Sequence, residues 1–115
     1  MKRTLLVYNT LTSNITPKAV NHTIRNLTQL AIYADVLKTS AVGEDKKKIL
    51  EKIEENNIDF VTVLGGDGLI NEVVNALAYK DIPLGIVPQG TANAFAREKG
   101  IPLSIRRSVR LFREE

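Results

Sequence analysis

Apolar residues occur along the chain in short runs separated by more polar segments. Four of these runs are rich in β-branched residues and predict strands over Thr4–Asn9, Ala31–Leu37, Asp59–Leu64 and Pro83–Val87. The run Asp59–Leu64 is nearly continuous in apolar and β-branched residues, which is typical of a strand covered on both faces of a parallel sheet. The pattern therefore predicts four strands in a largely parallel sheet.

The segments between these runs have helical spacing and helix-capping residues. Thr16 followed by Pro17 predicts a helix start, and we expect that helix to reach about Leu30. Glu44–Asn57 places apolar residues at helical spacing among charged ones. After the third strand a full apolar stripe follows, with helical positions i, i+3, i+4, i+7 and i+8 occupied by Ile70, Val73, Val74, Leu77 and Ala78. Further helices are predicted over Thr91–Lys99, stopped by Gly100, and from Ser104 to the C-terminus.

Strands that alternate with helices determine the predicted architecture. Parallel neighbours need crossover helices, and these helices cover both faces of the sheet. We therefore predict the α/β class, as a three-layer α/β/α sandwich with a mostly parallel sheet. At 115 residues the chain is expected to form one domain over residues 1–115.

Composition narrows the class of protein. The hydrophobic fraction is 43% and the charged fraction 25%, as in soluble globular proteins, and no apolar run approaches the ~20 residues of a membrane span. The absence of cysteine excludes disulfides and thiolate metal sites and favours a cytoplasmic location. A net charge of +3 is too small to indicate nucleic-acid binding, so we expect no nucleic-acid partner.

Three glycines and one acid stand where the third strand gives way to a helix, at Gly65, Gly66, Asp67 and Gly68. Glycine permits left-handed backbone angles and a close approach to phosphate, and a helix N-terminus attracts anions. Asp67 is also suited to a magnesium ion that bridges phosphates. The alternative is a tight turn in which Asp67 only caps a helix. Ligands of open α/β sheets bind at the carboxyl ends of strands, which favours a phosphate site.

A second turn of this kind follows the fourth strand. Gly90 frees the backbone there, and Thr91 and Asn93 place short polar side chains at a helix start. Helix capping by Thr91 alone is the alternative. Two such turns on consecutive strands are expected to face the same crevice, which predicts a common binding site.

The two turns together carry a resemblance to a known family. Residues 65–77 (GGDGLINEVVNAL) and 83–97 (PLGIVPQGTANAFAR) resemble the catalytic-domain signature of the diacylglycerol kinases, a family that includes sphingosine kinases and bacterial lipid kinases. The resemblance extends over essentially the whole chain. NAD kinases and phosphofructokinases are similar in the first motif, so the resemblance implies their fold.

The resemblance implies an enzyme that transfers the γ-phosphate of ATP to a lipid hydroxyl of the diacylglycerol or sphingoid type, with magnesium. It also implies roles for individual residues. Asp67 is the metal candidate, and Asp67 and Glu72 are the candidates for a catalytic acid or base. The nucleotide-binding residues it implies are Asn9, Gly65, Gly66, Asp67, Gly68, Glu72, Gly90, Thr91 and Asn93.

The chain departs from the family pattern at several positions. Members usually have an Asn-Pro-x-Ser-Gly turn after the first strand, whereas Thr10 follows Asn9 here and Asn14 follows Ser13. Nucleotide contact in this turn is therefore expected only at Asn9. Leu69 and Ala94 replace a threonine and an aspartate of many members, as in sphingosine-kinase-like variants. These two differences indicate a subtype within the family.

Members of the family also continue into a second, mostly β domain that supplies the lipid pocket and the general base. We expect that C-terminal β domain to be absent from residues 1–115, so that lipid would bind through the missing domain. A stand-alone nucleotide-binding module without catalysis is the alternative. A flavodoxin-like or response-regulator-like domain is a more distant one, and the acids it needs after the first strand are not in the sequence.

The last predicted helix has one apolar and one basic side. Its apolar side carries Ile105, Val109 and Phe112, and its basic side carries arginines at 106, 110 and 113. The basic side is expected either to be the solvated face of a helix packed on the core or to contact an anionic membrane as a peripheral protein. The apolar side could also meet the missing domain. A homo-oligomer is a further open alternative.

Overall fold

The computed structural model describes residues 2–9, 15–39, 46–78, 80–89 and 93–114. Within these ranges strands and helices alternate until the fourth strand, after which only helices follow. In chain order the elements are β1 (Lys2–Tyr8), α1 (Pro17–Gln29), β2 (Ile32–Lys38), α2 (Lys46–Glu55), β3 (Phe60–Gly65), α3 (Asp67–Ala76), β4 (Leu84–Pro88), α4 (Ala94–Lys99), α5 (Ile105–Arg110) and a terminal 3₁₀ turn (Leu111–Glu114).

All four predicted strands are present, each within two residues of its expected bounds. They form one parallel sheet in the order β2-β1-β3-β4. The predicted starts of two helices, at Glu44 and Thr91, lie outside the described residues. The α/β prediction is confirmed.

Two apolar cores lie on opposite faces of the sheet. One is built by β1, β3 and β4 residues such as Leu5, Val63 and Ile86 with α2 and α3, and Phe95 of α4 packs against it. The other is built by residues such as Leu6 and Leu64 with α1 and α5. Helices therefore cover both faces, and the predicted three-layer sandwich is confirmed.

The helix ends follow the capping signals of the sequence. Thr16 Oγ1 accepts a 3.1 Å hydrogen bond from the Ala19 amide at the start of α1. Ser104 Oγ accepts a 3.4 Å hydrogen bond from the Arg107 amide at the start of α5. Gly100 ends α4 in the left-handed conformation, with φ of 70°. All three predicted caps are confirmed.

The apolar stripe of α3 is narrower than predicted. Ile70, Val73 and Leu77 are buried, but Val74 is 44% exposed and Ala78 is exposed. The helix ends at Ala76, so Ala78 lies beyond it. The buried face is instead completed by Leu69 and Ala76, which shifts its centre away from Val74.

The apolar side of the last helix packs as predicted. Val109 is 1% exposed and belongs to the core on the α1 side, with Ile105 and Phe112 packed against it. The Phe112 ring meets Phe60 edge-on, with centroids 5.6 Å apart. It also lies over Gly85, where an added Cβ would be 2.6 Å from the ring tip. No helix in the described ranges is long and apolar enough to cross a bilayer.

Candidate functional site

The strand order creates a switch point at the carboxyl ends of β1 and β3. The chain leaves β1 towards β2 on one side, and it leaves β3 towards β4 on the other. The helices that follow, α1 and α3, consequently lie on opposite faces of the sheet. Connections that diverge in this way leave a crevice between them, which is the usual ligand site of such sheets. Asn9 follows β1 at this point, and Gly66 follows β3.

The glycine turn at this crevice does not use left-handed angles. Gly65 is the last residue of β3, and Gly66 is the N-cap of α3 with extended angles, φ −105° and ψ −168°. Neither of them, nor Gly68, has a positive φ. This turn therefore does not use the left-handed angles that glycine permits.

The glycines differ in the space around them. A Cβ on Gly65 would lie 2.9 Å from Leu69 Cδ2, so a side chain there would force the buried Leu69 side chain to shift. A Cβ on Gly68 would meet nothing within 4 Å. Gly65 is therefore explained by packing. Packing does not explain Gly68, where the backbone is open to whatever enters the crevice.

The N-terminus of α3 has no side-chain cap. Its N-cap residue is Gly66, and the helical hydrogen bonds begin with the Ile70 amide donating to the Gly66 carbonyl at 3.1 Å. The N–H groups that precede this bond have no acceptor within the helix, and they add to the positive end of the helix dipole. An anion is the complement of such an end.

Asp67 links the two predicted loops. Its Oδ2 accepts a hydrogen bond from the Ala94 amide at 2.8 Å, and its Oδ1 accepts one from the Phe95 amide at 2.9 Å. Both donors are the first residues of α4. A carboxylate at the first position of α3 thus caps α4, a different helix, across 27 residues of sequence.

The backbone of Asn93 explains why α4 needs this remote cap. Asn93 is the N-cap residue of α4, but it is left-handed, with φ 52° and ψ 42°, and its side chain makes no capping hydrogen bond. A capping side chain normally extends from a residue with β-region angles. Asp67 takes over the function that Asn93 does not perform.

These hydrogen bonds change the acidity of Asp67. The amide of Phe95, and then that of Ala94, stabilises the ionised carboxylate and lowers the pKa of Asp67 below its ordinary value of 3.8. Partial burial opposes this shift only weakly. Asp67 is therefore an anion throughout the physiological range and a weak proton acceptor.

The ends of β3 and β4 are held together at the same place. The Gln89 amide donates to the Gly65 carbonyl at 2.9 Å, and Pro88 is the register partner of Gly65. The chain after β4 therefore starts beside the glycine turn. The Asp67 hydrogen bonds then attach its continuation at α4 to the same turn.

The other predicted site residues lie around this centre. Asn9 is 2% exposed at the end of β1, and Asn93 is 8% exposed before α4. Glu72 is one turn after Gly68 on α3, so the two share a side of the helix, and its Oε1 is buried. Gly90 and Thr91 lie outside the described residues.

Sequence reasoning did not identify Thr39 or the link from Asp67 to α4. Thr39 follows β2 and is 3% exposed, and its amide and hydroxyl both donate to the Tyr8 carbonyl, at 2.8 and 3.3 Å. Its position two residues after the predicted strand Ala31–Leu37 was a usable signal. No local pattern connects Asp67 with Ala94, because the link depends on how two loops fold together.

The described residues contain no group of three or more His, Cys, Asp or Glu side chains that could hold a metal ion. Asp67 is the acid at the crevice, and each of its oxygens accepts one backbone hydrogen bond and retains a second lone pair. Magnesium usually takes one or two carboxylates, with phosphate oxygens and water completing its shell. These residues fit magnesium held mainly by a phosphate ligand.

Comparison with known proteins agrees with this geometry. Residues 3–115 match the family model of the diacylglycerol kinase catalytic domain. A diacylglycerol kinase of Bacillus subtilis (strain 168) is 36% identical over 105 residues, which are 89% of this chain and 34% of the relative. A diacylglycerol kinase of Mycobacterium tuberculosis (strain ATCC 25618 / H37Rv) is 45% identical over 60 residues, which are 52% of this chain and 19% of the relative.

Solved structures give the same result. A diacylglycerol kinase from Bacillus anthracis str. Sterne superposes with a TM-score of 0.78 at 29% identity, covering 98% of this chain and 42% of that one. The predicted NAD kinase-like fold is therefore confirmed. The chain spans less than half the length of each of these relatives. The chain belongs to the diacylglycerol kinase catalytic domain family.

Proposed function

We propose that this domain binds the phosphates of ATP at the switch-point crevice and serves a kinase that transfers the γ-phosphate to a lipid hydroxyl. The phosphates would lie against the N-terminus of α3. They would contact the backbone of the turn that contains Gly65, Gly66 and Gly68. Asn9, at the carboxyl end of β1, would form one wall of the site. Gly90, Thr91 and Asn93 would form the opposite wall, and Glu72 would support the site from α3.

One observation carries this proposal. The Gly68 backbone is open, with nothing within 4 Å of an added Cβ, in the first turn of a helix that has no side-chain cap. A helix start in water usually gains stability from a capping side chain. Its absence at a switch point, in a family of lipid kinases, is best explained by a phosphate ligand that takes the place of the cap.

We propose that Asp67 serves the nucleotide and its magnesium ion rather than the acceptor hydroxyl. Its carboxylate is negative and lies at the same helix start as the phosphates, so the two would repel each other without a cation between them. Magnesium bound to phosphate oxygens and to a free lone pair of Asp67 would remove this repulsion. The metal would supply charge neutralisation for phosphoryl transfer.

The general base is a separate question. A general base works best when its pKa is near the operating pH. The pKa of Asp67 is lowered, which moves it further from neutral pH. Asp67 and Glu72 are the two predicted candidates for the base, so Glu72 is the one that remains. The lipid acceptor, of diacylglycerol or sphingoid type, would bind through parts of the relatives that this chain does not match, since it covers 34% of the Bacillus subtilis enzyme.

Isothermal titration of the chain with ATP, with and without magnesium, tests the proposal. We expect saturable binding of magnesium-ATP and much weaker binding of adenosine, because the site holds phosphate. Asp67→Ala should weaken magnesium-ATP binding about tenfold, the loss expected for hydrogen bonds to a charged group. Asp81→Ala is the matched control, since Asp81 is exposed and precedes β4 at the other end of the sheet. Equal affinity for adenosine and ATP would refute a phosphate site.

A stand-alone nucleotide-binding module without catalysis is the second candidate function. The weak basicity of Asp67 favours it for the chain by itself. A phosphotransfer assay with magnesium-ATP and dispersed diacylglycerol or sphingosine separates the two candidates. Binding of ATP without product supports the module, whereas product at an ordinary kinase rate supports a complete enzyme.

A further inference from the structure

Helix α4 is less firmly attached to the rest of the molecule than the other helices. Among the described residues, α1 packs against β2 and α5, α2 and α3 pack against each other, and α5 also packs against β4. α4 makes no comparably extended contact with another described element. It is only six residues long, and helices of this length are not stable alone in water. Its position therefore depends on a few specific anchors.

The anchors of α4 are concentrated at its N-terminal end. Ala96 is fully buried, and Phe95 packs against the core on the α3 side. The Asp67 carboxylate accepts a hydrogen bond from the Ala94 amide at 2.8 Å and one from the Phe95 amide at 2.9 Å. The last three residues of the helix are exposed. One carboxylate therefore holds the N-terminal end of a helix that has little other attachment.

Left-handed residues flank α4 at both ends. Asn93 precedes the helix with φ 52° and ψ 42°, and Gly100 follows it with φ 70° and ψ 25°. Segments that move as a unit change their backbone angles at a few positions at the ends of elements, often at small residues. A left-handed asparagine is also less favourable than an ordinary backbone and persists only where surrounding contacts hold it. The two ends of α4 are therefore suited to act as hinges.

We propose that residues 93–100 form a flap that opens and closes beside the crevice, and that Asp67 is its latch. We call these residues the α4 flap. The structure shows the closed state, in which both carboxylate oxygens of Asp67 hold the first two amides of α4. In the open state these amides leave Asp67, and the Phe95 side chain withdraws from the core. Asp67 acts here as a positioning residue, through hydrogen bonds within the protein.

The latch lies where a ligand in the crevice acts on it. Asp67 is the first residue of α3, at the start of the helix against which phosphate is proposed to lie. This step alone rests on the proposed function: a ligand that touches both the start of α3 and the wall at Asn93 does so only when the α4 flap is closed. Such a ligand binds the closed state more tightly than the open one and shifts the population towards it. By reciprocity, closing the α4 flap raises the affinity for that ligand.

Hydrogen exchange of the native chain without ligand, followed by NMR, tests whether the α4 flap opens. The Phe95 and Arg97 amides are hydrogen-bonded in the closed state, and the Val61 amide of the buried strand β3 reports global unfolding. We expect Phe95 and Arg97 to be at least about 100-fold less protected than Val61, because local opening needs less free energy. Their exchange should also depend little on denaturant, since opening exposes little surface. Equal protection and equal denaturant dependence of the three amides would overturn the inference.

Asp67→Asn tests the latch, because asparagine has one acceptor oxygen instead of two and carries no charge. We expect the protection of Phe95 and Arg97 to fall about tenfold. Ser104→Ala is the matched control, since it removes the cap of α5, which stays formed when the α4 flap opens. The control should lower the protection of Val61 about fivefold and leave that of Phe95 and Arg97 unchanged. Unchanged protection of α4 in Asp67→Asn, or an equal loss there in the control, would overturn the inference.

Magnesium-ATP tests the coupling between the α4 flap and the crevice. At about 100 times its dissociation constant, a ligand that binds only the closed state slows exchange through opening about 100-fold. We expect this slowing at Phe95 and Arg97. Amide shifts at the start of α3 without slowing in α4 would overturn the coupling and leave the phosphate site in place. No binding of ATP would overturn the phosphate site and the coupling together, while exchange of the free chain would still decide whether the α4 flap exists.

Discussion

At the scale of single residues, the glycines of one turn serve different purposes. Gly65 is required by the close approach of Leu69, whereas Gly68 has free space around its missing side chain. An alanine at a compatible helical position normally stabilises a protein, because it restricts the unfolded chain. Glycine at position 68 therefore makes the protein less stable than alanine would, and we attribute its presence to phosphate binding.

Gly68→Ala separates stability from binding. We expect the free energy of unfolding to rise by about 0.4–1 kcal/mol, because Gly68 has no positive φ and no neighbour to clash with. Affinity for magnesium-ATP should fall about tenfold, because a methyl group would stand between the backbone and the phosphates. Denaturant unfolding and titration calorimetry measure the two quantities. Gly65→Ala is the control and should lose stability. Unchanged ATP affinity in Gly68→Ala would contradict the explanation given for this glycine.

Asp67 makes the attachment of α4 sensitive to acid. The hydrogen bonds from Phe95 and Ala94 lower the pKa of Asp67, so the attachment is complete at neutral pH. It should be lost only as the pH falls below 3.8 and through the lowered pKa of the folded state. In NMR spectra, the amide signals of Ala94 and Phe95 should titrate in that acidic range. In Asp67→Asn they should not titrate. Titration near neutral pH would show that another group controls them.

At the scale of elements, Phe112 connects the terminal 3₁₀ turn to the sheet. Its ring lies over Gly85 of β4 and meets the edge of the Phe60 ring in β3. The position of α5 on the sheet depends on this contact.

A double-mutant cycle tests this contact. Gly85→Ala should lower the free energy of unfolding by roughly 1–3 kcal/mol, because the new methyl group would overlap the Phe112 ring at 2.6 Å. Phe112→Leu makes room, so the double variant should be more stable than the sum of the single effects by about 1 kcal/mol. Urea unfolding of the four proteins measures this coupling. Additive effects would mean that Gly85 is required for another reason.

Most elements could be predicted from local patterns. Runs of β-branched residues identified each strand of the described residues, and capping signals at Thr16, Ser104 and Gly100 identified helix ends, because each signal depends on neighbours in sequence. The exposure of Val74 could not be predicted in the same way. It depends on how α3 is rotated against the sheet, which is decided by side chains on other elements.

At the scale of the whole molecule, the sheet order decides where chemistry can take place. The sequence predicted that two loops would face one crevice, because both follow neighbouring parallel strands. It could not predict the pairing of Asp67 with Ala94 and Phe95, since that requires the left-handed backbone of Asn93 and the exact distance between the two loops. The proximity of the two turns was therefore predictable, but the hydrogen bonds between them were not.

We propose above that phosphate binds at the N-terminus of α3. The most direct measurement is an NMR titration of the labelled chain with magnesium-ATP, with adenosine as the comparison. We expect ATP to shift the backbone amides of Gly66, Asp67, Gly68 and Leu69 most strongly and adenosine to leave them nearly unchanged. Shifts of amides elsewhere with ATP, and none at the start of α3, would show that phosphate does not bind there.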